Sequence, residues 1–189
     1  ECGLKIVIYN FMPIIDWTRT DLAYRLPNGV MALRFDYFEF AAFDLYILKR
    51  RGADAEYSQE DKQKAQQVFE NMTKEDIARL TKNIIAGLPG AEESFTLAEF
   101  QAALDEYKDI NADKLRSNLF AFLQEILPVA IEVGVRVAIH PDDPPRPMFG
   151  LPRILSNEND IRILMDTFTM PNCGVNVCAG SLGASAEND

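Results

Sequence analysis

Three short runs rich in β-branched residues constrain the fold of this chain more than any other feature. They read LKIVIYN, VRVAIH and GVNVCAG, and helical patterns separate them. Strands that alternate with helices form parallel βαβ units, because a parallel connection needs a long crossover. The sequence therefore predicts an α/β fold with a parallel sheet.

The connections between these runs differ greatly in length, which predicts an insertion. The interval from His140 to Cys178 suits one β/α unit, whereas the interval from Asn10 to His140 is far too long for one. We therefore expect residues 22–110 to form a mostly helical insertion within a single domain of residues 1–189.

The insertion and the helices after it carry recognisable start and stop signals. Asn28 and Gly29 suit the tight turn of a β-hairpin, and Thr96 with Glu99 matches a capping box. The segment 37–49 is apolar almost all round, so we expect a helix that is buried or packs against another chain. The other predicted caps and stops are Asp36, Ser58, Thr73, Gly87, Asn111, and Ser156 or Asn157.

The charge and the cysteines limit the class of partner and the compartment. A formal net charge of −10 argues against nucleic acid or an anionic membrane, but it permits a small anionic substrate. The three cysteines form no C-x-x-C pair, so we expect a reducing, cytoplasmic location and no disulfide framework. Because Glu1 opens directly into a strand-like run, we also expect no signal peptide and a chain that begins within a protein.

Asn10, His140 and Cys178 each end one of the three strand-like runs. The carboxyl ends of parallel strands meet at one edge of a sheet, where sites form in α/β proteins, so these side chains should converge. Imidazole and thiolate both bind metals. The alternatives are a histidine hydrogen-bonded to a neighbour, a cysteine that packs as a small apolar residue, and an asparagine that satisfies turn backbone.

The proline-rich segment DDPPRP after His140 provides further candidates. Asp142 could orient the imidazole through a hydrogen bond, or it could be an ordinary acidic residue of the loop. The prolines suit a rigid segment beside the site, and a rigid surface loop is the alternative. Arg19, Arg146 and Arg153 are candidates for gripping a carboxylate, although surface ion pairs are commoner. Two metal ligands are fewer than the usual three or four, so Asp142, Asp143, Asn10 or a different stretch of polypeptide must complete the set.

Several long motifs resemble the mannonate dehydratase family. They are YNFMPIIDWTRTDL, FAAFDLYILKR, LTKNIIAGLPGAEESFTL, VRVAIHPDDPPRPMFGLPRI and VCAGSLG, and the resemblance runs from Gly3 to the C-terminus. It implies a TIM (β/α)8 barrel, of which this chain resembles about the fourth to sixth β/α units. It also implies dehydration of D-mannonate to 2-keto-3-deoxy-D-gluconate in hexuronate catabolism, with Mn²⁺ or Fe²⁺ as the cofactor.

The resemblance also implies roles for individual residues. His140 and Cys178 match metal ligands of the family, and Ala179 stands where the family pattern has threonine. The remaining ligands and the acid/base residues are implied to lie on later strands, so no catalytic residue is assigned here. We expect Asn10, Arg19 and Arg146 to bind the anionic sugar-acid substrate. Ligand softness alone would favour Zn²⁺ or Fe²⁺, but the family implication of Mn²⁺ or Fe²⁺ is preferred.

Two rival functions use the same residues. One is another metal-dependent TIM-barrel enzyme, such as a sugar isomerase. The other is a non-catalytic interaction module that assembles through the aromatic helix Tyr37–Lys49. We also expect a homo-oligomer, because that helix has more apolar surface than one face can bury internally.

Overall fold

A computed structural model describes residues 3–15, 17–86 and 96–188. The described strands are β1 (Ile6–Tyr9), β2 (Asp21–Arg25), β3 (Met31–Arg34), β4 (Arg136–Ile139) and β5 (Cys173–Val175). The described helices are α1 (Tyr37–Ala42), α2 (Ala53–Glu56), α3 (Gln59–Glu70), α4 (Lys74–Ile85), α5 (Leu97–Glu106), α6 (Ala112–Glu132), α7 (Glu158–Thr167) and α8 (Ala179–Leu182). A π-helical segment, Phe43–Leu48, continues α1, and a short 3-10 turn covers Ala186–Asn188.

The chain divides into two compact units. The sheet unit joins the two ends of the sequence, Glu1–Pro13 and Asp109–Asp189. The helical unit is the continuous segment Ile14–Lys108. No helix in the described part of the chain has the length and apolar character needed to cross a membrane.

The sheet unit contains a three-stranded parallel sheet in the order β1-β4-β5. The register places Tyr9 beside Ile139 and Ile139 beside Val175. Helix α6 precedes β4, and α7 connects β4 to β5. The predicted α/β class with parallel strands is therefore confirmed for these residues.

The third strand is shorter than predicted. Strand β5 ends at Val175, and its last link to β4 is the Asn176 N–H donating to the Ile139 carbonyl at 2.8 Å. β4 itself ends at Ile139, so the chain beyond Asn176 has no strand partner on that side. Cys178 consequently lies beyond the strand, as the N-cap residue of α8, rather than at its last position.

One face of α6 forms the core of the sheet unit. Leucines at every fourth position, Leu115, Leu119, Leu123 and Leu127, are at most 5% exposed. They pack in one cluster with Val137 and Ile139 of β4 and with Leu164 and Phe168. A four-residue period keeps side chains on one helical face, so the sequence pattern itself directs this face to the sheet. The Asn111 side chain caps the helix as predicted, and the helix continues through Pro128 to Glu132.

The helical unit follows the turn and cap signals in its sequence. Strands β2 and β3 pair antiparallel around the predicted turn, where Gly29 has a φ of +85°. Asp36, Ser58 and Thr73 cap α1, α3 and α4, and Thr96 with Glu99 forms the predicted capping box of α5. In the sheet unit, Asn157 rather than Ser156 caps α7. The predicted stop at Gly87 lies outside the described residues.

The middle of the apolar segment 37–49 is buried within the chain. Phe40, Ala41, Ala42 and Phe43 are at most 2% exposed, and the α1 alanines pack with Ala65 of α3. The regular α-helix ends at Ala42 and a π-helical segment follows. The chain itself therefore covers the middle of this segment, while its flanking apolar residues stay half-buried, and self-association stays a prediction.

A buried ion pair joins Asp44 of this segment to Arg50. Asp44 is fully buried, and the Arg50 guanidinium donates two hydrogen bonds to its carboxylate, at 2.9 and 2.8 Å. The Tyr57 hydroxyl donates a third at 3.0 Å. Burial raises the pKa of Asp44, and the bonds from Arg50 oppose that rise. A charge with this many donors tolerates burial, whereas the same charge without its partner does not.

Replacing Arg50 should therefore destabilise the protein strongly. We expect Arg50→Met to lower the free energy of unfolding by about 3–5 kcal/mol, because Asp44 loses its compensating cation. Arg51→Met is the matched control, since Arg51 is exposed, and it should change the free energy by less than about 0.5 kcal/mol. Urea unfolding followed by circular dichroism measures both values, and equal effects would contradict the assignment.

Candidate functional site

His140 lies immediately beyond β4, at the carboxyl end of the central strand. Its backbone N–H donates to the Tyr9 carbonyl at 2.8 Å, which extends the β1–β4 ladder by one step. Its Nδ1 lies 2.7 Å from the Pro141 carbonyl oxygen. A carbonyl can only accept, so Nδ1 carries the proton, and in the neutral ring Nε2 keeps a lone pair. The imidazole is thus in the tautomer that a metal ligand through Nε2 requires.

Cys178 precedes α8, and its sulfur accepts a hydrogen bond from the Ser181 hydroxyl at 3.3 Å. The side chain and backbone N–H of Ser181, with a smaller contribution from the hydrogen bonding and charge of His140, lower the pKa of Cys178 to about 7. The thiolate is therefore well populated near neutral pH, as metal binding requires. The two side chains interact, although Cys178 lies beyond the end of β5 and not at its last position as the strand-end argument assumed.

Asp142 occupies a different place from the one predicted. Its side chain is buried, and it accepts hydrogen bonds from the Leu155 N–H at 2.6 Å and the Ser156 hydroxyl at 3.0 Å. Burial raises the pKa of Asp142, and the positive charge of Arg153 opposes that rise. The predicted orienting contact to His140 is made instead by the Pro141 carbonyl, because Asp142 faces the chain that returns from the proline-rich loop.

The other residues singled out in the sequence lie on different segments of the chain. Asn10 directly follows β1 and is exposed, and Arg146 is exposed on the loop after His140. Arg153 is 9% exposed and lies near Asp142, so it belongs to the support of this loop rather than to an open surface. Arg19 belongs to the helical unit, where it donates to the Thr18 carbonyl at 2.8 Å and lies 5.8 Å from the Trp17 ring centre.

Sequence reasoning overlooked two residues near the strand ends. The register places Asn176, not Cys178, level with Asn10 and His140. Ser181 is 1% exposed and donates to the Cys178 sulfur. The sequence could have indicated Ser181, because it lies three residues after Cys178, which is the spacing between an N-cap residue and the third helical position. Ala179, where the family pattern has threonine, is exposed.

The site offers two ligands of the kind that bind divalent transition metals, the Nε2 of His140 and the Cys178 sulfur. Across residues 3–15, 17–86 and 96–188, no group of three or more His, Cys, Asp or Glu side chains could hold a metal ion. The described residues therefore fit part of a metal site, and Asp142 and Asp143 do not complete it.

Comparison with known proteins gives one consistent family. Residues 1–189 match the family model described as D-mannonate dehydratase (UxuA). A mannonate dehydratase of Marinomonas sp. (strain MWYL1) is 56% identical over 189 residues, and one of Chromohalobacter salexigens is 51% identical over 188. In both cases 100% of this chain is covered but 48% of the relative, so the chain spans about half the length of the curated relatives it matches.

A solved structure agrees with this comparison. The crystal structure of mannonate dehydratase from Streptococcus suis serotype 2 superposes with a TM-score of 0.63 and 31% sequence identity. The match covers 100% of this chain and 40% of that one.

The lowered pKa of Cys178 predicts a selective reactivity of the metal-free protein. We expect alkylation of Cys178 by iodoacetamide to rise through a midpoint near pH 7, since only the thiolate reacts. Cys173 is buried and its pKa is raised by burial, so it should stay slow over the same range. Peptide mapping by mass spectrometry separates the two sites. A midpoint for Cys178 near the ordinary value of about 8.5 would contradict the geometry.

Proposed function

Because the chain belongs to the D-mannonate dehydratase (UxuA) family, we propose that it contributes part of the active site of an enzyme that dehydrates D-mannonate to 2-keto-3-deoxy-D-gluconate. The observation that carries this proposal is the match of residues 1–189 to the family model. The contact between His140 and Cys178 at the carboxyl edge of a parallel sheet supports it, because sites of α/β enzymes form at that edge.

The proposed fold of the whole catalytic domain is a TIM barrel, to which β1, β4 and β5 contribute three adjacent strands. All three are parallel, as barrel strands are, and the helices α6 and α7 alternate with them. Apolar residues of the edge strand β1 support this proposal, since Ile6, Val7 and Ile8 are 41–56% exposed. Such a strand would be covered by further strands in a closed barrel.

The proposed metal ligands of this chain are His140 through Nε2 and Cys178 through its sulfur, with Mn²⁺ or Fe²⁺ as the cofactor. A bound divalent cation would act as a Lewis acid for the negative charge that develops when the proton next to the substrate carboxylate is removed. The Pro141 carbonyl fixes the tautomer of the His140 ring. Asp142, the next residue, accepts hydrogen bonds from Leu155 and Ser156 and so anchors the loop that contains Pro141. These residues position the proposed ligands.

The substrate is an anionic sugar acid, and a chain with a net charge of −10 needs local cations or donors to bind it. We propose Asn10 and Arg146 for this role in the sheet unit, because Asn10 directly follows β1, Arg146 lies on the loop after His140, and both residues are exposed. Arg19 is proposed for the same role on the family resemblance alone. No residue of this chain is proposed as the acid or base, and assembly into a homo-oligomer also stays a proposal.

The rival functions lose support. The family match speaks against a sugar isomerase. The interaction module depended on the helix at residues 37–49, whose central residues Phe40, Ala41, Ala42 and Phe43 are buried within the chain.

Activity of the full-length protein tests the proposal. With Mn²⁺ or Fe²⁺ added, D-mannonate should yield a 2-keto acid, measured by its semicarbazone absorbance. Cys178→Ala should lower kcat/KM by at least about 100-fold and reduce bound metal, because a ligand is lost. Cys173→Ala is the matched control, since that thiol is buried in the core at the amino end of β5, and it should stay within a few-fold of the unsubstituted protein.

Two results would contradict the proposal. The first is an unsubstituted protein that leaves D-mannonate unchanged under these conditions. The second is a Cys178→Ala variant that keeps both its metal content, measured by plasma mass spectrometry, and its turnover.

A further inference from the structure

Ser181 is a buried polar residue to which neither the sequence motifs nor the proposed function gives a role. It is 1% exposed and is the third residue of α8, three positions after Cys178. Its hydroxyl donates to the Cys178 sulfur at 3.3 Å. A hydroxyl–sulfur contact at this distance is a hydrogen bond to a soft acceptor, and such a bond restricts the rotamer of the cysteine.

The turn that carries Ser181 is held in place from several sides. A Cβ at Gly183 would lie 2.8 Å from the Ala179 carbonyl oxygen, so the tight end of α8 accommodates only glycine without a shift. The Asn188 amide donates to the Leu182 carbonyl and to the Ser156 carbonyl, both at 2.9 Å. Ser156 also donates to Asp142, so this turn is tied to the loop that follows His140.

We propose that Ser181 is a positioning residue, which holds the Cys178 sulfur in the orientation that meets His140 so that both can bind one cation. This inference rests on the proposed function, in which Cys178 is a metal ligand. A cysteine side chain has three staggered χ1 rotamers, and the hydrogen bond from the Ser181 hydroxyl favours the rotamer that faces His140. Outer partners of metal ligands fix orientation in this way, and their loss typically costs ten- to hundredfold in metal affinity.

The test uses Co²⁺, whose bond to a thiolate gives a near-ultraviolet sulfur-to-cobalt charge-transfer band. The full-length, metal-free protein is titrated with Co²⁺, and affinity and band intensity are read together. We expect Ser181→Ala to bind Co²⁺ ten- to hundredfold more weakly than the unsubstituted protein, with a weakened or shifted band. Ser117→Ala is the matched control, because that hydroxyl is exposed and donates to the Asp113 carbonyl within α6.

A second pair of variants removes the ambiguity of packing. Ser181→Thr keeps the hydroxyl and Ser181→Val replaces it with a methyl group of similar size, so both impose the same crowding at this buried position. Threonine should bind Co²⁺ more tightly than valine by about tenfold or more. This comparison decides the question even if Ser181→Ala does not fold, and circular dichroism shows which variants are folded.

The outcomes distinguish this inference from the proposed function. If the unsubstituted protein shows the band while Ser181→Ala keeps its affinity and spectrum, or threonine and valine behave alike, the positioning role is overturned and the metal site stands. If the unsubstituted protein shows no sulfur-to-cobalt band, the metal role of Cys178 fails and the role of Ser181 fails with it.

Discussion

The central strand β4 is the constraint on which the sheet unit depends. It hydrogen-bonds in parallel with β1 on one side and β5 on the other, and its Val137 and Ile139 side chains pack on the leucine face of α6. Parallel pairing brings the carboxyl ends of all three strands to one edge. His140 therefore acquires its neighbours through backbone register, although they are distant in sequence.

Two kinds of support hold the site residues beyond the strand ends. The first kind is provided by backbone groups, since the Pro141 carbonyl sets the tautomer of His140 and the Asn176 N–H makes the last hydrogen bond between β5 and β4. The second kind is provided by buried polar side chains, since Asp142 and Ser181 are both buried and each has a hydrogen-bond partner. Buried polar groups are costly unless they are satisfied, so these pairs restrict the loops to few conformations.

The helical unit shows how the same rules govern an element without an assigned role. Its helices α3, α4 and α5 begin at capping side chains, and its one fully buried carboxylate, among the described residues, is compensated by Arg50 and Tyr57. The apolar helix at 37–49 illustrates the limit of periodicity arguments. A segment that is apolar all round predicts burial, but it does not say whether the same chain or a second one provides the cover.

The sequence by itself determined the class of fold, the hairpin turn, the helix caps and the family. The structural elements depend on local chemistry. The turn at Asn28-Gly29, the cap at Asn111 and the buried face of α6, which has a leucine at every fourth position, all follow from short-range geometry. Only the tertiary structure decided that β5 stops at Val175, that Asp142 faces Leu155 instead of His140, and that Ser181 touches the Cys178 sulfur. Those outcomes depend on which strand end or returning loop lies near each residue in three dimensions. The order of residues along the chain does not contain these distances.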